Sequence, residues 1–264
     1  MITSVRRAAT THVLSRTPIW CWLPLYAVQG LRVRATTVRL PEAQGRSGTT
    51  GSGEPSLRLV VVGDSVAAGV GFTHHEETMT RMVADGLASR NAARVDWQVV
   101  AKTGLTAGGI ADLVDESELG DPDVVLMSVG ANDTKDLHTT ARFRRELADL
   151  LDLIRERAPR AQILVLGAAP MQILPALEGS IGILLGARSA RLGRVAGEVI
   201  AGRPGVHHLP TGIPEGPDLF AADGFHPGTG LHTAFAELAL TALSATTTPT
   251  TPLSTADLTT GALP

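Results

Sequence analysis

Four short groups of residues have the types and spacing that catalytic chemistry needs: Gly63-Asp64-Ser65, Thr103-Gly104-Leu105, Gly130-Ala131-Asn132-Asp133 and Asp223-Gly224-Phe225-His226-Pro227. Ser65 is their centre. The apolar run Leu59-Val60-Val61-Val62 stops at Gly63-Asp64-Ser65, and a buried strand ending in glycine and a small polar residue delivers a side chain into a crevice at the sheet edge. A serine hydroxyl is a weak nucleophile at neutral pH and needs a base within hydrogen-bond reach. Imidazole, with an unperturbed pKa of about 6.5, suits that task, and a carboxylate on its other ring nitrogen fixes the tautomer. Asp223 and His226 are close enough in sequence for one tight loop to present both on the same side, and Pro227 keeps that loop from running into helix at His226. A tetrahedral intermediate also needs donors aimed at its oxygen, each worth roughly 10²–10³ in rate. Gly104 lets a backbone amide approach closely, and Asn132 supplies an NH₂ group from the end of a strand.

Each residue also has a plainer reading. Ser65 could be a helix N-cap, Asn132-Asp133 a turn, Asp223-Gly224 a turn beside a surface histidine. Asp64 reads as a cap or a hydrogen-bond acceptor behind the site rather than a catalyst. His74-His75-Glu76-Glu77 has metal-ligand residue types, but neighbours on an extended chain point apart and no second ligand group follows at metal spacing. These residues, with His207-His208 and His232, read as solvated.

The elements that must position these groups alternate. Strands are expected at Leu57–Val62, Val95–Ala101, Val124–Val129, Ile163–Leu166 and Val206–Leu209. Helical spacing marks Thr78 to Asn91, a short helix after the Gly104–Gly109 loop, Thr139 to Ala158 stopped by Pro159, the stretch from Leu192 to Ile200, and a last helix through Leu231, Phe235 and Leu238. Strand-helix alternation predicts an α/β fold, a three-layer α/β/α sandwich with about five parallel strands in flavodoxin-like order. Ligands bind beyond the carboxyl ends of such strands, which gathers the loops after Val62, Ala101, Val129 and Leu166.

The chain of 264 residues, 44% hydrophobic but only 3% aromatic, can bury a large core of Leu, Val, Ala and Ile. Its net charge of −3 leaves no basic footprint for nucleic acid. The single cysteine, Cys21, excludes an intrachain disulfide. Residues 1–40 read as an N-terminal arm. Within it, residues 18–34 hold an apolar segment with Trp20, Trp22 and Tyr26, interrupted by Pro24 and followed by Arg32 and Arg34. A peripheral membrane contact or a cover for the domain fits better than a cleaved signal. A cytoplasmic or membrane-surface location is therefore favoured over secretion. Residues 41–56 read as a flexible Gly/Ser/Thr linker, 57–243 as the folded domain and 244–264 as a disordered Thr/Pro-rich tail.

Taken together, the four groups resemble the SGNH or GDSL-type hydrolase superfamily, named for a Ser, a Gly, an Asn and a His in four blocks. The resemblance covers roughly Leu57 to Leu240, with Val66 where the motif name has Leu. It implies that Ser65 is the nucleophile, His226 the general base and Asp223 its orienting acid. It also implies an oxyanion hole formed by the amides of Ser65 and Gly104 and the side chain of Asn132, with Gly108 and Gly109 close by as rivals for the glycine. The expected activity is cleavage of carboxylic esters through an acyl-enzyme, with lysophospholipids or thioesters as candidate substrates and no metal or organic cofactor. An acyltransferase or carbohydrate O-deacetylase on the same triad, or a binding module that kept the fold, are the alternatives. A phosphate-binding flavodoxin-like protein lacks its fingerprint here, and Ala67 stands where an α/β-hydrolase elbow has glycine.

The stretch Met171-Gln172-Ile173-Leu174-Pro175-Ala176-Leu177, then Ile181 to Leu185, is too apolar for an ordinary exposed loop. Met171, Ile173, Leu174 and Leu177 either line an acyl pocket or belong to the core.

Overall fold

The computed structural model describes residues 38–246 except Ala169, Glu178, Ile213 and Pro214. The apolar segment 18–34 and the tail from 247 lie outside the described residues. In chain order the elements are β1 (Ser47–Thr50), β2 (Ser56–Gly63), α1 (Met79–Asn91), β3 (Arg94–Ala101), α2 (Ala107–Asp115), β4 (Val124–Ser128), α3 (Ala131–Lys135), α4 (Thr140–Arg157), β5 (Gln162–Leu166), α5 (Ser180–Ile200), β6 (Val206–Leu209) and α6 (Thr229–Thr246). Short 3₁₀ turns occupy His75–Glu77 and Met171–Ile173.

The sheet runs β1-β3-β2-β4-β5-β6. All pairings are parallel except the edge pair β1·β3. The five parallel strands thus take the flavodoxin-like order, with β2 at the switch point. The β-branched run of β2 has no solvent face. Leu59 and Val61 join a core with α1 and α6, while Val60 and Val62 join one with α2, α4 and α5. All four are fully buried, which is why a strand covered on both faces reads as continuously apolar rather than alternating. The helix ends follow local chemistry: Thr78 Oγ1 accepts from Thr80 N at the start of α1 and Thr139 Oγ1 from Arg142 N at the start of α4.

The expected flexible linker is not one. Ser47–Thr50 pairs with Val95–Gln98 as an edge strand. Trp97 lies against Gly48, where a β-carbon would meet its indole ring. Ahead of the strand, Ala43 N donates to Ala68 O and Gln44 N to Thr73 O, so this segment is pinned to the turns that follow β2. The last helix also runs on to Thr246, past the expected domain end at 243.

Two histidines expected in solvent are buried, His75 at 0% and His232 at 1% exposure. His232 Nδ1 accepts from Met79 N at 3.0 Å, tying α6 to the first turn of α1. His207 is half-buried, its Nε2 2.9 Å from Gln162 Oε1, and only His74 of the His74-His75 pair is exposed.

Candidate active site

The turn after β2 is built around Ser128 of the neighbouring strand. Gly63, at φ +145°, has no room for a β-carbon because the backbone and hydroxyl of Ser128 occupy that space. The buried carboxylate of Asp64 accepts from Val66 N at 3.1 Å and Ser128 Oγ at 2.8 Å. Ser128 Oγ in turn accepts from Ala67 N at 3.2 Å. This network locks the turn that presents Ser65. Burial pushes the Asp64 carboxyl up to about 6, against the lowering effect of its two hydrogen bonds.

Asp223 and His226 meet in the tight loop before α6. Asp223 Oδ1 accepts from the amides of Phe225 and His226 at 2.9 and 3.0 Å. Its Oδ2 lies 2.6 Å from His226 Nδ1. Gly224 adopts φ +63° at the turn, a conformation that glycine takes without strain. Burial alone would raise the Asp223 carboxyl, but hydrogen bonds from the His226 ring and from the two amides bring it below the usual carboxylate value. An anionic Asp223 accepts a hydrogen bond from Nδ1–H, so the proton stays on Nδ1 and the Nε2 lone pair is left free. Ser65 and His226 line one cavity, with Val129, Leu166, Met171, Leu174 and Phe235 among its walls.

Asn132 is tied to the loop that carries Gly104, through the residue that follows it. Asn132 Nδ2 donates to Leu105 O at 2.9 Å, and Lys135 Nζ donates to Asn132 Oδ1 at 2.8 Å. An ammonium only donates and a carbonyl only accepts, so the amide has one orientation, and its second N–H hydrogen remains available. Gly104 sits in the loop at φ +88° with nothing near its β-position, whereas Gly108 and Gly109 lie inside α2. Of the three glycines, Gly104 is the one in the loop.

Of the apolar residues picked out after β5, Met171 and Leu174 reach the cavity. Ile173 does not: successive residues of a 3₁₀ turn point about a third of a turn apart, and Ile173 is 40% exposed. Leu177 is buried in a satellite cluster with Met171, Leu174, Ile181 and Leu185. The stretch is therefore both core and cavity wall. Phe220, Phe225, Leu231 and Phe235 also line the cavity, a role the sequence did not assign them. Leu231 and Phe235 sit at helical spacing, a signal that marks buried faces without saying what they bury against.

The sequence profile of the GDSL-like Lipase/Acylhydrolase family matches residues 61–234. The chain belongs to this family. The GDSL-like esterase Rv1075c of Mycobacterium tuberculosis is 29% identical over 196 residues, which span 71% of this chain and 62% of that protein. Among solved structures, that of TesA superposes with a TM-score of 0.56 at 22% identity, covering 71% of this chain and 98% of TesA. A carbohydrate esterase family 2 enzyme of Corynascus thermopiles gives a TM-score of 0.56 at 18% identity, covering 74% of this chain and 68% of that one. At these identities the two structures speak for the GDSL-like fold.

Proposed function

We propose that this GDSL-like protein is a serine esterase that cleaves carboxylic esters with apolar acyl groups through an acyl-enzyme intermediate. The observation that carries the reading is the cavity shared by Ser65 and His226, with His226 Nδ1 held 2.6 Å from Asp223. Ser65 Oγ attacks the ester carbonyl while His226 Nε2 takes its proton. The carbonyl π electrons move onto oxygen, where the amides of Ser65 and Gly104 and the free N–H of Asn132 receive them. Collapse expels the alcohol, which leaves with the proton from Nε2. Water then repeats the sequence on the acyl-enzyme, frees the acid and restores Ser65. Asp223 stabilises the imidazolium in both halves.

The walls formed by Leu166, Met171, Leu174 and Phe235 favour an aliphatic acyl chain over acetate, as apolar burial rewards each added methylene. Lysophospholipids and aliphatic thioesters satisfy that chemistry better than an acetylated sugar. The test is hydrolysis of p-nitrophenyl esters of increasing acyl length by the parent and by Ser65→Ala. We expect turnover in the parent, an optimum beyond acetate and a silent variant. Turnover retained in Ser65→Ala would remove the nucleophile assignment, and an optimum at acetate would remove the acyl-chain reading. Transfer of the acyl group to an added alcohol in preference to water would make the same triad a transferase.

A further inference from the structure

A second cluster of chemistry-bearing side chains lies behind Asn132, where α2, α3 and α4 converge. Asp133 on α3 is fully buried, and the side chains of His138 and Glu146 are 10% and 15% exposed. His138 Nδ1 is 3.0 Å from Asp133 Oδ1 and 3.7 Å from Glu146 Oε2, and the three atoms lie within 4.8 Å of one another.

The surroundings use up the other atom of each carboxylate. Asp133 Oδ2 accepts from Ala107 N, the first residue of α2, at 3.1 Å. Glu146 Oε1 accepts from Arg142 Nε at 2.6 Å. The imidazole is fixed from behind, because His138 N donates to Asp133 O at 3.0 Å and Arg188 donates to His138 O at 2.6 Å. A single proton on Nδ1 can satisfy only one of the two facing oxygens. The nearer, Asp133 Oδ1, takes it, and 3.7 Å is beyond hydrogen-bond length for the other. Glu146 Oε2 is thus shielded from solvent with no hydrogen-bond partner, and a shielded carboxylate oxygen in that state calls for an ion or a water. Gly108 of α2 faces this carboxylate, where a β-carbon would stand 3.2–3.5 Å from its atoms.

We propose that Asp133 Oδ1, His138 Nδ1 and Glu146 Oε2 bind a zinc ion. Zinc takes nitrogen and oxygen donors at about 2.0–2.2 Å, which sets neighbouring ligand atoms roughly 3–4 Å apart, close to the spacing observed. One imidazole with two carboxylates suits zinc better than magnesium or calcium, which prefer all-oxygen shells. The Ala107 amide and the Arg142 guanidinium are the outer partners that hold ligating carboxylates in place. The fourth position falls to water. The site is separate from Ser65 and His226 and stands whether or not the chain turns over esters.

The test titrates zinc into the chelator-stripped full chain, followed by calorimetry and by thermal melting, with Glu146→Gln and His138→Gln alongside. Glu146→Gln keeps the oxygen that Arg142 holds, so its metal-free melting point should match the parent's and it decides the question even where His138→Gln folds poorly. We expect one equivalent of zinc in the parent, a melting temperature that rises with zinc concentration, and affinity at least about tenfold weaker in the variants. Cobalt, as a spectroscopic stand-in, should give a visible absorption band in the parent that both variants lose. Zinc affinity or thermal shift equal in the parent and Glu146→Gln would overturn the site.

Discussion

His226 and His232 lie on either side of the start of α6, and both have a partner on Nδ1, yet those partners impose opposite chemistry. His226 Nδ1 faces the Asp223 carboxylate, which only accepts, so the proton sits on Nδ1 and the Nε2 lone pair is free. His232 Nδ1 faces the Met79 amide, which only donates, so the lone pair is consumed and the proton sits on Nε2. Burial then separates them further. The His226 side chain is 16% exposed, whereas burial holds His232 down at about 3, with the neighbouring His75 adding to the effect. One histidine keeps an open lone pair on Nε2, and the other is built to stay neutral.

The largest expected effect breaks this pair apart. His226→Ala should lower kcat by about 10⁶-fold, the scale seen when a serine-hydrolase base is removed, while His232→Phe should leave kcat at the parent value. Stopped-assay kinetics on a p-nitrophenyl ester read both, and a comparable loss in the two variants would contradict the division of roles. Asp223→Asn should lower kcat by about 10⁴-fold, since the amide can donate to Nδ1 and impose the wrong tautomer. Next in size, Asn132→Ala should lower kcat by about 10²–10³-fold with KM little changed. A change in KM alone would move Asn132 from the transition state to ground-state binding.

The sequence distinguished these histidines only in part. The pairing of His226 with Asp223 was legible because Asp223, Gly224, His226 and Pro227 are local and sit within one turn. The burial of His232 was not legible, because it depends on α1 and α6 packing together across more than 150 residues of chain, with His232 reaching Met79 N, and that of His75 depends on the segment ahead of β1, whose Gln44 O accepts from His75 N. The same division runs through the fold. The parallel strands announced themselves as apolar β-branched runs. β1 did not, since its Gly48 is needed where Trp97 crosses and its threonines bond to polar partners, Thr49 to Asp96 and Thr50 to Asp85. The first turns of α5 were also hidden. Gly182 and Gly186 interrupt the helical pattern; Leu177 leaves no room for a β-carbon at Gly182, and Gln172 leaves none at Gly186. The Asp133, His138 and Glu146 cluster spans a helix, a turn and a second helix, a spacing that matches no local metal motif.

The smallest expected effect is on stability rather than rate, and it isolates the neutral histidine. Burial holds His75 at about 4 and His232 at about 3 in the folded chain, against about 6.5 in the unfolded chain. Below pH 6.5 the unfolded chain takes up protons that the folded chain refuses. The stability these residues contribute is therefore complete above that pH and is lost as pH falls toward 4 and 3. Asp64 works in the opposite direction. Its folded value of about 6 lies above the ordinary one, so its contribution favours the folded state at low pH and is lost as pH rises through 6. The two effects overlap between pH 4 and 6, so the parent's slope alone is ambiguous. The difference between parent and His232→Phe cancels Asp64 and leaves His232 together with its coupling to His75. Urea unfolding across this window should show the variant losing about 1.4 kcal/mol less per pH unit than the parent. Parallel slopes would mean that His232 already takes up its proton in the folded chain. Its ring would then have solvent access, which a wholly buried residue bonded to the Met79 amide does not have.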